Sequence, residues 1–476
     1  MSTQVPGISR REVLQSLGVA GAGVALGCGR SGETGVSGAA RDDKLRAEIA
    51  RKVQKTPFVD THEHLPDEAD RLAGLGVPCD DWSLLFHDYL RSDLVAAGMP
   101  ASEIAAFFSR NVEPRRKWQI LEPFWPRVMN TGFGQALRIS MRELYGVEAL
   151  DTKTIPLLQE AYEDFRKPGM YDKVLVKESN IESCQVNTDG LPFHESKQPT
   201  LLMQDLSFQT LHMDPDIGGL SRQAGIVVRS LDDWHEVIRW WFDRYSKYAV
   251  AAKSQGAYLR RINYHRVAQE EAEPVFAQIL RGESPEHSRI QLLEDHLFWF
   301  CVDQATQHQL PVKIHTGYLS GERIENFRHI TQHPHDIIEL CRQAHETTFV
   351  FLHISYPYWQ ELIAVAKRFS AAHIDMSWAW ALDPAGATEF LKRYLVSAPW
   401  NKVFTFGGDY SVVECVLGHA VMARQGITQA LAELVEEGWL RHQEAVGLVE
   451  PLLRGNARTT FNLEEKTRAL SKAPWA

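Results

Sequence analysis

The chain has 476 residues, of which 44% are hydrophobic and 24% charged, and a formal net charge of −10. This composition is that of a globular protein long enough for one large core or a barrel with insertions. The negative balance gives no reason to expect nucleic acid or an anionic membrane surface as a partner. No run of 18 apolar residues is present, so no membrane-spanning helix is predicted.

Residues 1–40 are predicted to be a targeting segment and a tether rather than part of the fold. Arg10 and Arg11 stand in a Ser-Arg-Arg-Glu-Val-Leu pattern typical of a twin-arginine export signal, and a weakly apolar stretch follows over residues 16–26. Cys28 closes an Ala-Leu-Gly-Cys motif that resembles a lipoprotein cleavage site, so it is a candidate for lipidation. Residues 29–39 are rich in Gly and Ser and predict a flexible tether. The alternative is a disordered tail with a chance arginine pair.

These features predict export of the folded protein by the twin-arginine route to the periplasm or another extracytoplasmic space, with membrane attachment only through Cys28. Changing Arg10 and Arg11 to lysine is expected to trap the precursor in the cytoplasm. Cys28→Ala is expected to release the mature domain from the membrane fraction. Cell fractionation with immunoblotting measures both effects, and normal export of the double-lysine variant would show that another route is used.

Residues 41–463 are predicted to form the folded domain, beginning with a charged helix over residues 41–56. This helix leads into a first strand that starts at Phe58 and runs into the sequence Thr-His-Glu-His. Side chains i and i+2 of an extended strand point the same way. His62 and His64 can therefore direct two imidazoles at one ion, while Glu63 points elsewhere.

Residues 66–168 lack strand patterning and are predicted to form a helical insertion after strand 1. Helical periodicity covers residues 82–97, 118–129, 134–144 and 155–165. A connection of this length is normally functional, so we expect it to cap the site and to bring aromatic residues such as Trp82 into contact with substrate. The alternative is that these aromatic residues form the insertion's own small core.

Seven further strand-like runs follow, with helices after most of them. Their bounds are 180–186, 200–208, 249–252, 311–314, 349–352, 373–376 and 403–408. Eight strands alternating with helices predict an α/β fold, a (β/α)8 TIM-type barrel with a helical insertion after strand 1. Residues 464–476 are predicted to be a C-terminal tail.

Four of these later runs end at residues suited to chemistry, namely Lys253, His315, His353 and Asp409. Each signal alone has an ordinary explanation: a single histidine after a strand is usually a core residue, and an aspartate after Gly-Gly is usually a turn or a helix N-cap. A His-x-His pair is likewise more often structural or on the surface. Their shared placement at the carboxyl ends of strands indicates a divalent-metal site at one mouth of the barrel.

The same stretches resemble the amidohydrolase superfamily. The resemblance is greatest to the amidohydrolase-related branch, which includes aminocarboxymuconate-semialdehyde decarboxylase and various lactone and amide hydrolases. It covers residues 55–463, and its motifs are residues 59–64, 313–317, 352–357, 406–410 and 455–458. The fold hosts several chemistries, so the resemblance leaves the reaction open.

The resemblance implies that His62, His64 and His315 bind the metal and that Asp409 is a ligand, the general base, or both. His353 is implied to polarise the substrate or to donate a proton. Zinc is the expected ion, and a single ion is favoured over two.

Lys253 and Arg260 have alternative interpretations. A carbamylated Lys253 would bridge a second metal ion, whereas an ammonium at Lys253 would bind a substrate carboxylate or pair with a carboxylate of the barrel. Arg260 is a candidate for binding an anionic substrate, and the alternative is a solvated surface arginine.

The leading hypothesis for function is a metal-dependent hydrolase of a small-molecule amide, ester or lactone that uses a metal-activated water. One alternative is a non-oxidative decarboxylase on the same metal site. Another is a sugar isomerase, because the long insertion after strand 1 resembles that of uronate isomerases. The non-enzymatic alternative is a metal-free solute-binding or scaffold lipoprotein. Each of the enzymatic hypotheses has a small molecule as substrate, and each is compatible with a homo-oligomer.

Overall fold

The structure is a computed structural model that describes residues 34–188, 190–213, 216–321 and 325–476. The predicted twin-arginine motif and Cys28 lie outside the described residues. Contacts divide the chain into residues 1–44 and residues 45–476. Of the first unit, residues 34–44 are described and are helical.

The second unit contains a set of parallel strands, formed by short apolar runs that are buried on both faces. The strands are β1 (Phe58–Glu63), β2 (Ile181–Val186), β3 (Leu202–Gln204), β4 (Leu206–Ser207), β5 (Ala252–Ser254), β6 (Val312–Ile314), β7 (Phe349–Phe351), β8 (Ala372–Asp375) and β9 (Val403–Phe404). They pair in parallel in the order β1-β2-β3 and β4-β5-β6-β7-β8-β9.

β3 and β4 are two halves of one barrel strand, interrupted only at Asp205. The Asp205 N–H donates to the carbonyl of Val186, and the Leu206 N–H donates to the carbonyl of Ala251, so the interrupted strand bonds to β2 on one side and to β5 on the other. All eight predicted strands are therefore present in the predicted order.

The strands close into a barrel through backbone hydrogen bonds between β1 and residues 406–410, which follow β9. The Thr61 N–H donates to the carbonyl of Phe406 at 3.0 Å, the Asp409 N–H to that of His62 at 2.8 Å, and the His64 N–H to that of Tyr410 at 3.0 Å. The predicted α/β barrel is confirmed, and its first and last strands meet at the carboxyl end of β1.

Two charged side chains inside the barrel form an ion pair, which offsets part of the cost of burying them. Nζ of Lys313 on β6 lies 2.9 Å from both carboxylate oxygens of Asp205 and donates to the carbonyl of Thr61 at 2.8 Å. Lys313 and Asp205 are both fully buried. This ion pair ties β6 to the interrupted third barrel strand and to β1.

Helices surround the barrel and fill the insertion. The α-helices up to β5 are α1 (Thr34–Lys55), α2 (Glu68–Leu72), α3 (Leu90–Ala96), α4 (Ala101–Phe107), α5 (Pro114–Leu121), α6 (Trp125–Val128), α7 (Gly132–Tyr145), α8 (Thr154–Phe165), α9 (Gln209–His212), α10 (Ile217–Ala224) and α11 (Leu231–Tyr245). Those after β5 are α12 (Gln269–Leu280), α13 (His287–Gln307), α14 (His333–Gln343), α15 (Trp359–Arg368), α16 (Ala379–Leu382), α17 (Pro384–Ser397), α18 (Val416–Glu436), α19 (His442–Glu450), α20 (Asn456–Thr460) and α21 (Leu463–Leu470). Short 3-10 or π-helical turns lie at Trp82–Phe86, Asp172–Glu178, Gly256–Tyr258, Glu325–Gln332, Leu352–Ser355, Trp400–Lys402, Val413–Cys415 and Pro451–Gly455. No helix among the described residues is both long and apolar enough to cross a lipid bilayer.

The insertion after β1 is helical, as predicted, and continues past residue 168 to the π-helical turn that ends at Glu178. Its attachment to the barrel includes a fully buried ion pair, in which Arg71 of α2 lies 2.7 Å from Glu414 near the start of α18. The Arg71 guanidinium also donates to the hydroxyl of Tyr162 on α8 at 2.8 Å. The ion pair between Arg71 and Glu414 ties the insertion to the segment that follows β9.

The C-terminal segment, residues 464–476, falls largely within α21. Beyond that helix, the ring of Trp475 meets the edge of Tyr248 with 4.7 Å between the ring centroids. The end of the chain therefore packs against the barrel rather than extending away from it.

Candidate functional site

Three side chains converge where β1 meets the segment after β9. Nε2 of His62 lies 3.1 Å from Oδ1 of Asp409, and Nε2 of His64 lies 3.4 Å from the same oxygen. One potential ligand atom from each residue lies within 4.8 Å of the others, which makes this group a candidate metal centre. The predicted same-face geometry of the His-x-His pair is present, while Glu63 turns away and accepts the Tyr410 N–H at 2.6 Å.

The backbone of Asp409 is left-handed, with φ of +63°. Few residues other than glycine adopt this conformation, and asparagine and aspartate are the best tolerated. The N–H of Asp409 donates to the carbonyl of His62, and the hydroxyl of Tyr89 donates to the carbonyl of Asp409. The conformation is therefore held from both sides, and it turns the carboxylate toward the two imidazoles.

The two glycines before Asp409 allow neighbouring strands to approach closely. A Cβ at Gly408 would lie 1.8 Å from Oε1 of Glu63 on β1, and a Cβ at Gly407 would lie 2.6 Å from Cβ of Ser377, which follows β8. No side chain fits at either position without displacing its neighbour. Gly408 is therefore needed to bring this segment against β1, and Gly407 to bring it against the end of β8.

His353 follows β7 and faces the same group, with Nε2 at 3.8 Å from Oδ2 of Asp409. Its other nitrogen, Nδ1, is 3.0 Å from the hydroxyl of Ser377. The residue is fully buried and left-handed, with φ of +66°. Non-glycine residues in this conformation are concentrated at functional sites.

His315 follows β6 and lies beside the metal group rather than within it. Its ring packs against His353 at 4.2 Å between centroids, and its Nε2 donates to the carbonyl of Tyr318 at 2.9 Å. His315 is not one of the three residues whose ligand atoms are gathered within 4.8 Å. Its predicted role as the third nitrogen ligand stays a prediction.

The electrostatics of the site favour neutral imidazoles. Burial lowers the pKa of His62, His315 and His353 well below that of a free imidazole, and the positive charge of Lys253 adds to the effect at each. Burial raises the pKa of Asp409 to about 6, against the opposing influence of His64 and Lys253. Neutral imidazole is the form that binds a metal ion.

The donor set fits a divalent metal. Two imidazole nitrogens and a carboxylate oxygen are ligands that zinc accepts, and a group of three leaves room for water or substrate. Nε2 of His353 is buried and has no hydrogen-bond partner among the described residues. Such a nitrogen is costly to bury without a partner, and a substrate bound at this mouth of the barrel would supply a polar contact.

Lys253 lies on β5, fully buried, with Nζ 3.1 Å from Nε2 of His62. It thus stands at the metal group, as its place at a strand end predicted. Both interpretations, a carbamylated bridging ligand and a cationic contact, remain predictions.

The carboxyl groups of Asp60 and Glu63 lie beside the candidate ligands. The sequence analysis assigned no role to either of them. Oδ1 of Asp60 accepts the N–H groups of His62 and Gly408, each at 3.2 Å. Burial raises the pKa of Asp60 to about 7 and that of the neighbouring Glu63 well above its usual value. Through these bonds, and through the bond of Glu63 with the Tyr410 N–H, the two side chains join β1 to the Asp409 segment.

A cavity of about 440 Å³ opens above the metal group. Most of the residues that line it carry a polar or charged group, and they are His64, Asp88, Tyr89, Gln209, Gln255, Tyr258, Leu259, His315, Asp409 and Ser411. Asp88 and Tyr89 come from the insertion, so the predicted cap does contribute to the site. Their sequence signal is a polar Asp-Tyr pair inside the helical pattern of residues 82–97, which does not distinguish them from surface residues.

Two residues predicted to contact substrate have packing roles instead. Trp82 is fully buried and meets Phe86 and Phe107 edge-on, as part of the insertion's own core. Arg260 is 6% exposed and pairs with Glu294 at 2.9 Å and with Asp295 at 2.7 Å. Neither is among the described residues that line the cavity, so the predicted substrate contacts at Trp82 and Arg260 find no support.

The sequence matches the family model described as Amidohydrolase over residues 204–463, more than half of the chain. No curated protein sequence matches the chain.

Solved structures share the fold at low identity. A uronate isomerase from Thermotoga maritima has a TM-score of 0.71 at 15% identity and covers 88% of this chain and 97% of its own. A glucuronate isomerase from Caulobacter crescentus has a TM-score of 0.71 at 14% identity, covering 91% and 96%. A candidate metal-dependent hydrolase from Lactobacillus casei has a TM-score of 0.57 at 16% identity, covering 88% and 98%.

Proposed function

We propose that this chain, which belongs to the amidohydrolase superfamily, is a metal-dependent isomerase that interconverts the aldose and ketose forms of a uronate-type sugar acid. The observation that carries the proposal is the cavity above His62, His64 and Asp409, which the barrel and the insertion build jointly and line with polar side chains. Further support comes from two structures named as uronate and glucuronate isomerases, whose chains are covered almost completely.

The chemistry of such an isomerisation matches what the cavity offers. One C–H bond breaks at the carbon next to the carbonyl, and a C–H bond forms at the former carbonyl carbon. The hydroxyl group on the carbon that loses its hydrogen gives its proton to the carbonyl oxygen. No water is added in the reaction. The reaction needs a base beside the substrate and polar groups that hold several hydroxyls.

Asp409 and His353 are the residues placed for proton transfer. Oδ1 of Asp409 faces the two imidazoles of β1, while Oδ2 faces Nε2 of His353 at 3.8 Å. A carboxylate with a pKa near 6 is suited to take up a proton at neutral pH. Burial and the neighbouring His315 and Lys253 lower the pKa of His353 and keep its imidazole neutral, a form that can donate a hydrogen bond to a substrate oxygen. A divalent ion held by His62, His64 and Asp409 would polarise the carbonyl oxygen when bound.

The uncharged polar side chains of the cavity are suited to a hydroxylated substrate. Gln209, Gln255 and Ser411 offer amide and hydroxyl groups that donate and accept hydrogen bonds. The ring of Tyr258 stands edge-on to His315 at 4.6 Å between centroids and gives the cavity an apolar side. Polar groups placed around an apolar wall are the usual arrangement in small-molecule sites.

The second candidate function is hydrolysis of an amide, ester or lactone, favoured by the Amidohydrolase family model and by the same pairing of Asp409 with His353. In that reaction the carboxylate would take a proton from water and the imidazole would assist the leaving group. Decarboxylation at the same residues is a third candidate.

Isotope incorporation separates these candidates. The zinc-loaded protein, incubated with hexuronates in D2O, is expected to give ketose signals and deuterium on the carbons beside the carbonyl by NMR. Acid release from lactones, esters and amides without deuterium incorporation would instead establish the hydrolase. Carbon dioxide release from carboxylated substrates would establish the decarboxylase. The His62→Ala/His64→Ala protein is the control, and we expect it to be inactive in each assay.

We also propose that the enzyme works outside the cytoplasm, on the basis of the predicted twin-arginine signal in residues 1–40. Twin-arginine export carries folded proteins, which suits an enzyme that acquires its metal before it leaves the cytoplasm.

A further inference from the structure

The segment that follows β9, residues 407–412, has no regular secondary structure yet carries Asp409 in a left-handed conformation. The position of the carboxylate therefore depends on contacts made by this segment, which we term the Asp409 loop. On the β1 side the contacts are backbone bonds and the carboxyl groups of Asp60 and Glu63. On the opposite side, the contacts come from the insertion.

The insertion reaches the Asp409 loop through the carboxylate of Asp88, in the short turn before α3. One oxygen of Asp88 accepts the hydroxyl of Ser411 at 2.5 Å, and the other accepts the N–H groups of Ser411 and Val412, each at 3.1 Å. Three donors from two consecutive loop residues thus converge on one carboxylate. The next residue, Tyr89, donates its hydroxyl to the carbonyl of Asp409.

Asp88 and Tyr89 are themselves held in place by further contacts. The ring of Tyr89 stacks on Phe133 at 4.9 Å and meets Trp378 edge-on at 4.8 Å. Burial disfavours the charged form of Asp88, but its hydrogen bonds with His87, Ser411 and Val412 outweigh burial and lower the pKa of this carboxyl. Asp88 therefore stays ionised and accepts all three bonds.

We propose that Asp88 is a positioning residue for the metal centre: it fixes the Asp409 loop so that the Asp409 carboxylate meets His62 and His64. The inference rests on the metal site of the proposed function but not on which reaction that site performs. It gives the insertion a role besides enclosing the cavity, because metal affinity then depends on a residue 321 positions away from the ligand it places.

A merely structural role for Asp88 would have a different signature. Loss of a packing contact lowers the stability of the metal-free and metal-loaded protein alike. Loss of ligand positioning weakens metal binding, and with it the extra stability that a bound ion gives the folded state. Groups that support metal ligands through hydrogen bonds are typically worth about 10–100-fold in metal affinity.

The test measures affinity for Co²⁺ and Zn²⁺ alone, by chelator competition and by the visible absorption of Co²⁺, and needs no substrate. Asp88→Asn removes the negative charge on which all three donors converge and leaves a single acceptor oxygen, and we expect it to weaken metal binding by about 10–100-fold. Ser411→Ala removes one of the three bonds and is expected to have a smaller effect in the same direction. It keeps the test decisive if Asp88→Asn folds poorly.

The matched control is Asp93→Asn, in α3 of the same insertion. The Asp93 carboxylate accepts the hydroxyl of Thr131 at 2.6 Å, and both partners lie within the insertion. We expect metal affinity within about threefold of the unaltered protein and a metal-induced rise in Tm of the same size.

Unchanged affinity in both Asp88→Asn and Ser411→Ala, or an equal loss in Asp93→Asn, would overturn the positioning role while leaving the metal site intact. An unaltered protein that binds neither ion would overturn the metal centre itself, and the positioning role with it.

Discussion

Replacing Asp409 by asparagine is expected to lower kcat by roughly 10²–10⁴-fold, the usual size of a lost general base, while most of the bound metal is retained. The amide keeps the shape of the carboxylate and one oxygen that can bind an ion, but it does not accept the proton. Asparagine also tolerates a φ of +63° better than other side chains. The substitution therefore separates proton transfer from both metal binding and backbone strain.

The measurement is kcat on the substrate identified by the isotope assay, together with metal content after dialysis. Asp67→Asn is a suitable control, because Asp67 is a buried carboxylate that pairs with His194 and Ser196 rather than with the metal group. Near-normal turnover in the metal-loaded Asp409→Asn protein would move the base to another residue. His353 is then the first candidate, since its Nε2 lies 3.8 Å from Oδ2 of Asp409.

The His62→Ala/His64→Ala protein is expected to lose its divalent ion, falling from about one equivalent to background in metal analysis. Two of the three gathered ligands disappear together, and a lone carboxylate holds zinc weakly. The expected ion is zinc, and elemental analysis of the purified protein identifies it at the same time.

The control for this double substitution is a second histidine pair outside the barrel. Nε2 of His235 on α11 lies 2.9 Å from Nε2 of His296 on α13. His235→Ala/His296→Ala removes as many imidazoles and should leave the metal content unchanged. An undiminished ion in the His62→Ala/His64→Ala protein would show that the metal binds elsewhere.

The eight strands and the residues at their ends could be predicted from the sequence because both signals are local. A buried parallel strand reads as a short apolar run, and the carboxyl ends of parallel strands meet at one face of a barrel. His62, His64, His353 and Asp409 therefore came together as expected. The period of two along β1 was enough to predict that Glu63 points away from the imidazoles.

The rest of the site depends on contacts between distant segments, which no local pattern encodes. Asp88 and Tyr89 acquire their roles only when the insertion meets the loop after β9. Arg260 was predicted to face an anionic substrate, but its guanidinium reaches carboxylates on α13. The ring of His315 turns toward the carbonyl of Tyr318 within its own loop, a choice of side-chain torsion that spacing does not determine.

The closure of the barrel between its first and last strands has a consequence for the order of folding. The hydroxyl of Thr61 bonds to the carbonyl of Phe406 across 345 residues of sequence, so this junction is among the most non-local contacts in the chain. Non-local contacts form slowly because the intervening chain must first be ordered. The metal ligands come from both sides of this junction, and a nascent chain lacks the complete set until the last strand has been made. An ion held by His62, His64 and Asp409 would therefore link the first strand of the barrel to the segment after its last strand.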